Sequence, residues 1–324
     1  MVREDPLNCE VRLGRLVEGA VTPNERFYIR SHFPGPAIKP GEWRLWVRGL
    51  VRSPLSLSLD DLRKLPNPRE EAVTLECAGN GRSFFRPKIE GEPWVLGAVS
   101  TAVWKGVSLT SVLDAAGLQK TASHLVFRAA DGFERGLSRD EARLALLAFE
   151  MNGRPLPPDH GHPVRAIVPG WYAVASVKWL TEIEATDRPF EGHFQTDRYV
   201  YEWPDRREPV THQKVRAVIT QPEDGASVRA GRFVIRGLAW SGLAPVTRVE
   251  VSLGSGRWTE AAVRGSHRHA WKQWEMTAQV ERPGRLTIRS RATDASGQTQ
   301  PEHAPWNRLG YGNNSIQTVA VRVV

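Results

Sequence analysis

The alternation of apolar and polar positions gives the chain two textures. Up to about residue 208, short β-prone runs are interleaved with helical and irregular stretches. Segments 42–50, 72–75, 125–128 and 164–168 read as strands, and 27–33 alternates into Pro34 as a short strand running into a loop. Ser58 before Leu59-Asp60-Asp61-Leu62 is an N-cap signal and predicts a short helix that Pro66 ends. Over 108–117, Leu109, Val112, Leu113 and Ala116 share one helical face, and Gly117 stops it. The run Leu144-Ala145-Leu146-Leu147-Ala148-Phe149-Glu150-Met151 fits a helix or a buried strand by periodicity; Asn152-Gly153 behind it favours a strand entering a tight turn. Residues 1–25 read as an irregular, polar arm laid over this part of the chain.

From about residue 209 the pattern changes. Alternating runs at 215–219, 233–238, 246–253, 273–280, 286–292 and 318–323 recur between turns such as Glu223-Asp224-Gly225, Gly254-Ser255-Gly256 and Asp294-Ala295-Ser296-Gly297. This is the texture of an immunoglobulin-like β-sandwich. The expected fold class is α+β: a mixed α/β domain over 1–208 followed by the sandwich over 209–324.

A length of 324 residues suffices for two domains with separate cores, and 40% hydrophobic with 25% charged residues is ordinary for a globular protein. No apolar run is long enough to span a membrane, and Met1-Val2-Arg3-Glu4-Asp5 carries no apolar signal region, so a cytoplasmic location is expected for a complete chain. Cys9 and Cys77 are the only cysteines, without C-x-x-C, haem-attachment or zinc spacing. The sequence therefore offers no disulfide framework and no haem, and electrons, if any move, must leave through another molecule. The formal charge of +8 comes from scattered lysines and arginines with no basic helix or aromatic-basic stripe. Small anions and an anionic cofactor account for it better than nucleic acid.

The most informative stretch is Thr74-Leu75-Glu76-Cys77-Ala78-Gly79-Asn80-Gly81-Arg82-Ser83-Phe84-Phe85. A β-prone run delivers a cysteine into a Gly-Asn-Gly turn whose small residues let backbone N–H groups approach a ligand. Those donors and Arg82 would favour a thiolate at Cys77, suited to a soft metal beside an anionic substrate. The plain alternative is a reduced cysteine buried at the edge of a core.

This stretch resembles the molybdenum-cysteine loop of the sulfite oxidase family, and the resemblance runs in order from about residue 23 to the end. Phe27-Tyr28-Ile29-Arg30-Ser31-His32 resembles the family's F-Y-x-R-N-H segment, which covers the cofactor with its arginine facing the substrate. Ser31 replaces the usual asparagine there. Arg154-Pro155-Leu156-Pro157-Pro158-Asp159-His160-Gly161-His162-Pro163-Val164-Arg165 is similar nearly letter for letter, and makes His160 and Arg165 ligands of the pterin and its phosphate. The Ser-x-Lys of Ser176-Val177-Lys178 supplies a hydroxyl, backbone N–H groups and an ammonium to that phosphate. Asp131 matches an acidic group against the pterin, though Asp-Gly is also simply a turn. Trp94 matches a tryptophan of the substrate pocket, whereas Trp104 reads as core. Tyr199 matches a pocket tyrosine or is structural, and Arg198 precedes it where aspartate is usual. In Pro305-Trp306-Asn307-Arg308-Leu309-Gly310 the order of Arg and Leu is exchanged relative to the family's W-N-L-R-G, so Arg308 either reaches the pocket or points elsewhere.

The resemblance implies one molybdopterin per chain with Cys77 as metal ligand, and oxidation of sulfite to sulfate with electrons passed to an external acceptor. Arg30, Arg82, Tyr199 and Trp94 would then surround the anionic substrate, and the second domain would pair subunits. Two rival readings are the reduction of a sulfoxide or nitrate at the same centre, and a non-catalytic scaffold built on the sandwich.

Overall fold

Two sheets build the first domain of the computed structural model, which describes residues 1–254 and 256–324; Ser255, in one of the expected turns, lies outside the described residues. One sheet runs in the order Leu55–Leu57, Leu45–Gly49, Leu180–Thr186, His124–Ala129, Glu134–Ser138, with a parallel pair between Leu45–Gly49 and Leu180–Thr186. The other joins Pro68–Glu76, Val99–Ser108 and Leu146–Met151, the last flanked by Arg154–Pro155 and Arg165–Ile167.

The second sheet is buried on both faces. Leu147 faces the core shared with Leu45, Phe127 and the helix Leu109–Ala116, while Leu146 faces a cluster of Trp104, Val73, Leu75 and Cys77. A strand covered on both sides has no polar face to alternate, so 144–151 reads as an unbroken apolar run. The helix Leu59–Lys64 starts in a capping box between Ser58 and Asp61, and Leu109–Ala116 ends at Gly117 with φ +68°. Residues 27–33 are not a strand: only Ile29 pairs, with Cys9 of the arm, at 2.9 Å in both directions. The only neighbour on that side is a single residue of the arm, too short to make a ladder.

The second domain is a two-sheet sandwich. Arg216–Gln221, Gly231–Trp240, Lys272–Val280 and Ala262–Arg264 form one sheet; Ser227–Val228, Gln317–Val323, Gly284–Asp294, Val246–Leu253 and Trp258–Glu260 form the other. Ile219, Ile235 and Trp274 of the first pack on Val249, Ile288 and Val321 of the second.

Two features join the domains. Strand Pro68–Glu76 is an edge, and the second domain covers it: Thr74 donates from N to His269 O at 2.9 Å, and Gln213 Nε2 donates to Thr74 O at 2.9 Å. The N-terminal arm is laid over both domains rather than the first alone. Leu16 packs on Val99, Val218 and Trp240, and Trp271 Nε1 donates to Ala20 O at 2.9 Å.

Candidate active site

Cys77 sits where strand Pro68–Glu76 ends, and the turn behind it is shaped by small residues. Gly81 has φ +84°, and a Cβ on Gly79 would lie 2.7 Å from Arg82 Nη1, so the turn can wrap the guanidinium only if position 79 is bare. Arg82 is held further by Glu92 O at 3.0 Å and lies over the Tyr311 ring at 5.1 Å.

A cleft of roughly 670 Å³ opens beside the cysteine. It brings together Cys77, Tyr28, Arg30, Ser31, His32, Asp131, His160, Arg165, Ser176, Val177, Lys178 and Tyr199. An outer cavity adjoins it, sharing Arg30, His32 and Tyr199 and adding Arg82, Lys88, Arg198, Leu309 and Tyr311. Arg30, His32 and Tyr199 therefore stand at the junction of the two spaces.

The inner end is a cation cradle. Arg165 is buried; its Nη1 donates to His160 O at 3.0 Å and Nη2 to Ser176 O at 2.9 Å. Lys178 donates from Nζ to Ser31 Oγ at 2.7 Å and to Asp159 O at 2.9 Å. Burial, then the neighbouring cation, brings Lys178 down to about 7, and burial brings Arg165 down to about 10. Burial, Arg165 and Lys178 hold His160 near 3, so its imidazole is neutral. His160 Nε2 faces Asn24 O at 3.1 Å; a carbonyl only accepts, so Nε2 carries the proton and Nδ1 is left as an acceptor. Asp131 both lines the cleft and makes a turn, accepting from Phe133 N at 3.1 Å.

The junction is aromatic and strained. Tyr199 has φ +57°, its hydroxyl is 2.7 Å from His32 Nε2, and its ring stacks on Tyr311 at 5.0 Å and 17°. Burial raises the Tyr199 hydroxyl and, aided by Arg30 and Lys178, lowers His32, so both are neutral near pH 7. Ser31 and Arg30 are pinned from behind by Asn8, whose Oδ1 accepts from Ser31 N at 3.0 Å and from Arg30 Nη1 at 3.4 Å.

Two expectations change, and one left open is resolved. The Cys77 thiol is pushed up, not down: burial outweighs the pull of Arg30, Arg82 and the Gly79 N–H. Trp94 lines neither cavity; it is 0% exposed, and its large apolar surface is buried with Cys77, Leu75 and Trp104 under the cysteine turn. Arg308, whose orientation the sequence left open, stands on the rim of the outer cavity with its Nε and Nη2 on the two carboxylate oxygens of Glu202, the latter at 2.8 Å, while Leu309 behind it is buried. Asn8 and Tyr311 escaped the sequence reading. Tyr311 adjoins the segment 305–310 that had been singled out, whereas nothing in the arm marks Asn8.

Residues 32–194 match the oxidoreductase molybdopterin binding domain family, and residues 207–324 the Mo-co oxidoreductase dimerisation domain family. The chain belongs to the sulfite oxidase family. It is 39% identical over 353 residues to the mitochondrial sulfite oxidase of Rattus norvegicus, covering 98% of this chain but only 64% of the length of that protein. Similarity to the NADH nitrate reductase of Lotus japonicus is weaker, 33% over 359 residues, covering 95% of this chain and 40% of that one. The crystal structure of the sulfane dehydrogenase SoxCD from Paracoccus pantotrophus superposes with a TM-score of 0.87 at 30% identity, over 95% of this chain and 82% of that one. Its two matched regions are thus the family's molybdopterin-binding and dimerisation domains.

The cleft fits that cofactor on the chemistry of its own donors. Arg165 Nε is buried without a hydrogen-bond partner, and Lys178 has one N–H left beyond the two it uses. Two adjacent buried cations, Lys178 lowered by both burial and Arg165, call for an anion such as a phosphate. His160 Nδ1 offers an acceptor to a ring N–H, and Cys77 offers a soft ligand at the other end.

Proposed function

We propose that the chain oxidises sulfite to sulfate and passes the electrons singly to an external acceptor. The observation that carries this reading is the meeting of Arg30, His32 and Tyr199 at the mouth between the cysteine cleft and an arginine-lined outer cavity. Bound between Cys77 and the cradle, the molybdenum cofactor supplies two-electron oxygen-atom transfer. Arg165, Lys178 and Ser176 would hold its phosphate, and His160, Asp131 and Tyr28 its ring system.

The chain's own residues then bind and orient. Arg30 and Arg82 both line the outer cavity and would hold a sulfur oxyanion against the metal. Tyr199, kept neutral and fixed by His32, offers a hydroxyl without adding charge. Stacked Tyr199 and Tyr311 with Leu309 exclude water from that side. Cys77 would hold the metal as a thiolate, a form that burial disfavours and that a bound cation would stabilise.

We further infer that residues 1–208 hold the cofactor, that 209–324 pair two copies, and that the sandwich is of the immunoglobulin-like kind, a reading its two facing, mostly antiparallel sheets support. Among the described residues no helix is long and apolar enough to cross a membrane. Purified, molybdenum-loaded protein should turn over sulfite with a one-electron acceptor. Turnover only with a reduced dye plus sulfoxide or nitrate would replace this reading with the reductase one.

A further inference from the structure

Arg135 lies on strand Glu134–Ser138 and is 1% exposed. Among the described residues it forms no ion pair; Nη1 donates to Phe194 O, Nη2 to Val210 O at 3.4 Å, and Nε has no partner. Glu141 acts on it only through space, and burial brings its pKa down to about 10, so it is charged at neutral pH. A buried cation without a carboxylate is costly, and such costs are tolerated mainly where a site needs them.

Its two carbonyl partners flank the wall of the outer cavity. Phe194 packs on His32 at 4.4 Å and on Phe133 at 4.9 Å. Val210 donates from N to Tyr199 O at 2.9 Å, so the carbonyl Arg135 holds belongs to the residue that fixes Tyr199 in its left-handed conformation. The neighbouring Gly136 N donates to Gln195 Oε1 at 3.2 Å, fastening the same segment. Phe194, Arg198 and Tyr199 all line the outer cavity. One guanidinium therefore grips the wall at both ends from behind and brings an unbalanced positive charge with it.

We propose that Arg135 determines specificity for an oxyanion, positioning the Phe194–Tyr199 wall and lending its unpaired charge to the cavity. It acts as a positioning residue, since it lines neither the cleft nor the outer cavity. The inference rests on the reading of the outer cavity as the substrate's path, and it is tested separately by equilibrium binding.

The experiment compares the holoenzyme with Arg135→Met and Arg135→Lys, measuring sulfate affinity by calorimetry at low and high salt alongside KM and kcat for sulfite. Arg135→Met should weaken sulfate binding about tenfold at low ionic strength, a loss that shrinks with added salt. KM should rise by a similar factor while kcat holds. Arg135→Lys should retain most of the affinity. Unchanged sulfate affinity in folded Arg135→Met, or equal losses of kcat and thermal stability in both variants at constant KM, would reduce Arg135 to a structural role. Should Arg135→Met fail to fold, Arg135→Gln, which can still donate to Phe194 O, carries the comparison. A holoenzyme that binds sulfate in this Arg135-dependent way but does not oxidise sulfite would overturn the functional reading and leave this one standing.

Discussion

Glu76 and Arg216 meet at 3.2 Å across the junction of the two domains, one residue before the cysteine. Both are buried, and Glu76 also accepts from Asn80 Nδ2 at 3.0 Å and from Trp240 Nε1 at 2.8 Å. One carboxylate thus ties both ends of the Cys77 turn, residues 76 and 80, to the sandwich. Glu76→Ala would leave Arg216 buried without its countercharge, a loss of about 3–5 kcal/mol. The double variant Glu76→Ala/Arg216→Met should recover part of that loss, because no unpaired charge remains. Denaturant unfolding of the two variants measures this, and equal destabilisation of single and double variants would mean the pair contributes nothing beyond packing.

Lys178 sets a pH dependence whose direction follows from its depressed pKa. Unfolded, the ammonium keeps its proton to the ordinary 10.5; folded without an anion, it gives it up near 7. Between those values the unfolded chain binds more protons, so the stability of the cofactor-free protein should rise as pH climbs from about 7 to about 10.5. Below about 7 the folded state carries the full penalty of the buried charge. A bound phosphate keeps Lys178 protonated and should flatten the rise. Melting temperatures across this range, with and without phosphate, check the point, and Lys178→Met should stabilise the cofactor-free protein while impairing cofactor retention.

How much of this could be read from the residues differs by kind of contact. The strands Val246–Leu253 and Gln317–Val323 alternate because one face meets the other sheet and one meets solvent, and local pattern reports that directly. The cradle was legible through the resemblance of segments 154–165 and 176–178 to those of the family, which implied the roles of His160, Arg165, Ser176 and Lys178. The Cys77 thiol was misjudged because donors in a turn are visible in a sequence whereas burial is not. Trp94 failed for a related reason: it lies two residues beyond Glu92 of the outer cavity, but its side chain is fully buried in the cluster with Leu75 and Trp104. Asn8, Tyr311 and Arg135 act through partners distant in sequence, on which periodicity and motif spacing are silent.

The arginines of the outer cavity should separate sharply. Arg308 is exposed and committed to Glu202, so Arg308→Ala should leave KM for the anion nearly unchanged. Arg82 is buried and lines the cavity, and Arg82→Gln should cost about 2–5 kcal/mol of substrate binding. Gly79→Ala should imitate that loss without touching a charge, since the added methyl would sit 2.7 Å from Arg82 Nη1 and push it aside. Steady-state KM values for the three variants make the test; a large effect of Arg308→Ala would show that the Glu202 pair opens in use.

Cys77→Ser separates the role of the sulfur in holding metal from its role in packing. The side chain is buried among Phe27, Tyr28 and Leu75, and a hydroxyl fits the same space. The fold should survive with a loss of about 1–3 kcal/mol for a hydroxyl left short of partners. Metal retention and turnover should be lost, because a hard oxygen is a poor substitute for a soft sulfur ligand. The cofactor-free parent offers an independent check: with burial raising the thiol and Arg30 and Arg82 pulling it back, alkylation of Cys77 should be slow at neutral pH and accelerate in base. Arg82→Gln should move that acceleration to higher pH. Rapid alkylation of Cys77 at neutral pH, confirmed by its absence in Cys77→Ser, would mean that the thiolate forms before the metal arrives.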